Sequence, residues 1–118
     1  MAAPRPERRA TPRASSRVEV SYEDVDGQVF LPSRDLSEGG AFLLSPTPPA
    51  IGVSATLLFE LPGNPTILRM RGSVARRQTR PGSGFAVRFD SQANPDDGRR
   101  ALRDFVERAR AGRAAARA

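Results

Sequence analysis

Between Val18 and Phe89 the chain is cut into short runs in which apolar and polar side chains alternate, with clusters of glycine, proline and aspartate between them. A period of two marks strands with one buried face, and the interruptions set the length of each strand. Val18, Val20 and Tyr22 alternate with Glu19 and Ser21, the residues from Glu23 to Gly27 form a turn, and Val29-Phe30-Leu31 reads as a second strand. Ala41-Phe42-Leu43-Leu44 is a third. Ser54 to Leu61 is a fourth, with Leu57, Phe59 and Leu61 on one face. Thr66 to Arg77 is a long fifth, with Leu68, Met70, Gly72 and Val74 facing inward and Ile67, Arg69, Arg71 and Ser73 outward. In the sixth, Phe85, Val87 and Phe89 are opposed by Ala86 and Arg88. Pro62-Gly63-Asn64-Pro65 and Arg80-Pro81-Gly82-Ser83-Gly84 are turn clusters, and three prolines between Ser45 and Ala50 make that stretch a loop at the sheet edge. Six short antiparallel strands joined in this way fold as a small barrel or sandwich.

A single helix follows. Asn94 is placed to cap it, Pro95 suits its first position, and Asp96 and Asp97 complement the positive end of its dipole. Leu102, Phe105, Val106 and Ala109 form a stripe expected to pack on the barrel. Past Gly112 the alanines and arginines offer nothing apolar to pack, and the helix is expected to fray there. The expected organisation is a flexible arm over residues 1–12, a barrel with its helix over 13–110, and a flexible tail over 111–118.

Composition narrows the function. Among 118 residues there is no histidine and no cysteine, which removes disulfides, thiol nucleophiles, imidazole bases and soft-metal clusters, so no enzyme is expected. The absence of cysteine fits a cytoplasmic protein, and no apolar run approaches a membrane span or a signal peptide. The net charge is +6, but it is concentrated at the ends. Residues 1–17 hold five arginines and one glutamate, and residues 99–118 hold seven arginines and two acids, whereas residues 18–98 hold seven arginines against ten acids. A mildly acidic body with few aromatics disfavours a nucleic-acid-binding barrel, although Arg69, Arg71 and Arg88 form a local basic patch.

Two patterns carry chemistry. Arg13-Ala14-Ser15-Ser16-Arg17 is an Arg-x-x-x-Arg, and Asp35-Leu36-Ser37-Glu38-Gly39-Gly40 is an Asp-x-Ser-x-x-Gly. Guanine presents acceptors on one edge, which an arginine fork matches, and donors at N1 and N2, which a carboxylate accepts. Ser37 adds a hydroxyl, and Gly39 and Gly40 offer close backbone approach and positive φ. The first pattern alone is weak, because Arg5/Arg9, Arg9/Arg13, Arg76/Arg80, Arg99/Arg103 and Arg113/Arg117 have the same spacing. The second alone is more often a turn in which Asp35 and Ser37 cap backbone amides. Order and context raise their weight: the arginine pair precedes the first strand, and the second pattern separates the second strand from the third.

In that arrangement, over roughly residues 13–110, the chain resembles the PilZ domain family. The resemblance implies a six-stranded antiparallel β-barrel with a C-terminal helix that binds the bacterial second messenger cyclic di-GMP. It assigns Arg13 and Arg17 to guanine and phosphate, and Asp35, Ser37 and Gly40 to a guanine on the barrel surface. Gly39 belongs to the same segment, and Arg8 and Arg9 stand where they would help hold a second, intercalated ligand molecule. Phe85 stands where the family often has methionine. The resemblance further implies a stand-alone adaptor, with no cofactor beyond the messenger, whose N-terminal arm rearranges on binding to present a surface to an effector protein. A ligand-independent interaction module is the alternative within the same fold.

Overall fold

A computed structural model describes residues 17–79, 82–90 and 96–117. The six alternating runs become β1 (Glu19–Asp24), β2 (Gly27–Ser37), β3 (Gly40–Leu44), β4 (Ser54–Leu61), β5 (Asn64–Gln78) and β6 (Gly84–Phe89), followed by the helix α1 (Asp96–Arg117). Every pairing is antiparallel, and the strands close into a barrel in the order β1-β2-β3-β6-β5-β4. Closure leaves no sheet edge exposed, which a chain of such short strands otherwise has to protect.

Alternation decides what fills the barrel. Val20, Tyr22, Leu31, Leu36, Leu43, Leu57, Phe59, Met70, Val74, Phe85 and Val87 are all buried in one core cluster. Each such side chain contributes about 1.5–3 kcal/mol by leaving water. The Tyr22 and Phe85 rings meet edge to face at 5.2 Å, while the Tyr22 hydroxyl donates to Asp24 Oδ2 at 2.7 Å. Burial, followed by the bond to Asp24, pushes the Tyr22 phenol well above its ordinary pKa. Helix α1 packs against β2 and β5 through Leu102, Phe105 and Val106, the expected stripe. Gly98 admits this approach, since a Cβ there would lie 2.8 Å from Met70 Sδ.

Three expectations are corrected. The Asp-x-Ser segment was expected to interrupt the second strand, but β2 runs through Asp35, Leu36 and Ser37 and turns only at Glu38-Gly39. A bulge makes this possible. Ser33 pairs with Leu43 and Asp35 with Phe42, so Arg34 and Asp35 together oppose one residue of β3. The helix was expected to fray beyond Gly112, but helical backbone continues to Arg117, where alanine and arginine are among the strongest helix formers. Gly39 and Gly40 were expected to allow positive φ, and neither takes it. The capping residue Asn94 and the first-turn Pro95 lie outside the described residues.

Candidate functional site

The bulge is the local event that builds the site. In a regular strand Leu31, Ser33 and Asp35 would share the inner face, and Leu36 would point outward. The extra residue shifts the phase. Leu31, Ser33 and Leu36 are all buried, and the charged Arg34 and Asp35 are only partly so. Their side chains meet at 3.6 Å from Arg34 Nε to Asp35 Oδ2, with the Asp35 side chain 13% exposed and that of Arg34 38%. The Arg34 guanidinium carbon lies 3.8 Å from the centre of the Phe42 ring. Ala41 and Leu43 point into the core, so Phe42 between them faces the outer wall, yet it is only 1% exposed. Gly84 gives the ring room, because a Cβ there would come within 2.6 Å of Phe42 Cε1.

Arg17 is brought to the same end of the barrel by β1. The Ser33 N–H donates to the Val18 carbonyl at 2.9 Å, and the Val18 N–H donates back to the Ser33 hydroxyl at 2.9 Å. The hydroxyl thus closes the reciprocal bond of the ladder beside the bulge. Arg17 is the residue before Val18 on this segment and is exposed. Ser33 is fully buried and joins the two motif-bearing strands, a role invisible to a motif reading. The sequence signal for it is a lone hydroxyl on the inward face of a strand.

Ser37 and the two glycines are occupied by the turn. The Ser37 hydroxyl accepts from the Gly39 N–H at 3.2 Å and donates to the Gly40 carbonyl at 3.3 Å. The Gly39 carbonyl accepts from the Phe89 N–H at 2.9 Å. Gly40 is required by packing: a Cβ there would lie 2.3 Å from the Val87 carbonyl oxygen of β6. Glu38 accepts from Arg103 Nη2 at 2.9 Å, which ties the turn to α1. The bond to Glu38, and then its charge, raises the Arg103 pKa above its ordinary value.

The structure therefore brings Arg17, Arg34, Asp35, Ser37, Gly39 and Gly40 to one end of the outer wall. Arg8, Arg9 and Arg13 lie outside the described residues. The surface is shallow. An open groove of about 730 Å³ begins at Arg17 and runs past Glu19, Phe30, Leu58 and Glu60, but Asp35, Ser37 and Gly40 do not line it. Among the described residues no cluster of acidic side chains is arranged to hold a metal ion. Planar guanidinium groups, a partly sheltered carboxylate and a rigid turn can grip a planar, polyanionic ligand from one side.

Comparison with known proteins agrees with this architecture. No curated protein matches the sequence. Among solved structures, the chain is similar to the Bacillus subtilis inhibitor of motility MotI/DgrA, with a TM-score of 0.77 and 17% identity over 92% of this chain and 54% of that one. It therefore spans about half the length of MotI/DgrA. It is also similar to the PilZ domain of CeSA from a cellulose-synthesizing bacterium, with a TM-score of 0.52 and 18% identity over 76% of this chain and 89% of the other. At such identities the likeness shows a shared fold. The family model for the PilZ domain matches residues 7–108, which takes in both motifs, the barrel and most of the helix, and the chain belongs to the PilZ domain family.

Proposed function

We propose that this PilZ domain is a cytoplasmic receptor for cyclic di-GMP, with Arg13, Arg17, Asp35, Ser37 and Gly40 as its binding residues, and that it acts as an adaptor on a partner protein rather than as an enzyme. The observation that carries the reading is that the paired bonds of Val18 and Ser33 tie the segment that follows Arg17 to the strand that bulges at Arg34 and Asp35. Asp35 accepts from guanine N1 and N2, and Arg17 supplies a fork to the opposite edge or to phosphate. Ser37 and Gly40 act chiefly by holding the turn that fixes Asp35. Arg13, with Arg8 and Arg9 behind it, closes over the bound messenger, and the rearranged N-terminal segment offers the partner a new surface. Control of motility or of exopolysaccharide formation is the matching output, given the inhibitor of motility among the structural neighbours.

A nucleic-acid-binding barrel is less well supported. Arg69, Arg71 and Arg88 do share a groove of about 890 Å³, but Glu23, Asp24 and Asp90 line it as well, and its one aromatic, Phe89, is buried. A strand-binding surface calls for exposed stacking rings in an unbroken basic field. Among the described residues no helix is long and apolar enough to cross a membrane. Titration calorimetry with cyclic di-GMP on the wild type, Arg17→Ala and Asp35→Ala tests the proposal. Micromolar binding by the wild type, weakened at least tenfold in each variant, supports it, and wild-type affinity in both variants places the ligand elsewhere.

A further inference from the structure

We infer that Arg34 is a further arginine of the ligand site, and that its guanidinium, backed by Phe42, is the surface on which a guanine base stacks. The inference rests on the cyclic di-GMP reading and adds a residue that neither motif contains. Three observations lead to it. The bulge turns Arg34 to the outer wall beside Asp35, the carboxylate assigned to guanine N1 and N2. The Phe42 ring lies against one side of the guanidinium at 3.8 Å, so the 38% of the side chain still exposed belongs to its other surfaces. The Asp35 carboxylate at 3.6 Å further limits how the group can turn.

A guanidinium held in this way is unusual for an exposed arginine. A free side chain gives up considerable rotamer freedom on binding, whereas one already pinned between a ring and a carboxylate gives up little. Guanidinium planes stack on aromatic faces, and a purine on the open side completes a sandwich of Phe42, Arg34 and base. The buried ring has the same logic. Phe42 is an aromatic on the outer wall of a barrel, shielded by Arg34 and accommodated by Gly84, and it contributes nothing to the core cluster. Its position makes sense as the backing of a flat cationic platform. Discrimination then divides between two neighbours, with Asp35 reading the guanine edge and Arg34 reading the presence of a planar base.

Calorimetry with cyclic di-GMP on Arg34→Ala, Arg34→Lys and Phe42→Leu separates this role from simple charge. Arg34→Ala should weaken binding about tenfold, Arg34→Lys nearly as much, and Phe42→Leu severalfold with Arg34 intact. Lysine at wild-type affinity would reduce Arg34 to a point charge and overturn the inference. So would Arg34→Ala at wild-type affinity, while leaving the cyclic di-GMP reading untouched. No binding by the wild type removes both. Because Phe42→Leu alters a buried position, a second measurement uses the native chain. On addition of cyclic di-GMP, the Arg34 Hε and Hδ resonances should move upfield under the guanine ring current, and their failure to move in a saturated complex contradicts stacking.

Discussion

Two turns of the same barrel use glycine for opposite reasons. The turn from β4 to β5 consists of Pro62-Gly63, where Gly63 has a φ of +81° and a Cβ would meet nothing within 4 Å. Its glycine supplies conformation. The turn from β2 to β3 consists of Glu38-Gly39 and has no positive φ. It is held instead by the Ser37 hydroxyl, by the Gly39 carbonyl bonded to Phe89 N–H, and by Gly40 pressed onto the β6 backbone. Conformational turns are legible in sequence and tolerant of their surroundings. The second kind is fixed by tertiary contacts, and in this molecule it sits at the end of the strand that carries Asp35.

The contrast predicts unequal responses to one methyl group. Gly40→Ala sets a Cβ against backbone on a neighbouring strand, which cannot swing away, and should destabilise by about 3 kcal/mol in urea unfolding. Gly63→Ala carries only the strain of the left-handed conformation, about 1 kcal/mol. Equal losses at the two positions would break the comparison. Ser37→Ala removes both hydroxyl bonds of the turn and should cost about 1–2 kcal/mol by the same measurement. If the loss is negligible, the turn is held by Gly40 and Phe89 alone. The smallest effect is expected from Arg103→Ala. Its ion pair with Glu38 joins side chains 56% and 35% exposed, so its loss should leave the urea midpoint nearly unchanged, and any effect should fade further in high salt.

The strands could be read because their inward residues keep parity: Leu57, Phe59 and Leu61 in β4, and Phe85, Val87 and Phe89 in β6. Parity fails in β2, and the failure was itself a signal. Leu31 and Leu36 lie an odd number of residues apart, so both can face the core only across a bulge. Read as an interruption, that irregularity hid the continuation of the strand through Ser37. Phe42 carried no such signal, because it sits in an apolar run where inward and outward residues are chemically alike. Arg34 was lost among nineteen arginines; it precedes Asp35 in the chain, but only the bulge brings the two side chains together. Spacing singled out Asp35, Ser37 and Gly40 as candidates. The turn reading of that segment anticipated the bond from the Gly39 N–H to the Ser37 hydroxyl, but nothing in the spacing revealed Gly40 pressed onto the β6 backbone.

The central claim is that the bulge displays a carboxylate poised to read guanine. The most direct measurement is a parallel titration of the wild type with cyclic di-GMP and cyclic di-AMP. Adenine offers no donors matching guanine N1–H and N2–H₂, so the guanine dinucleotide should bind at about micromolar concentration and the adenine one at least about a hundredfold more weakly. Equal affinity for the two, or none for either, would contradict it.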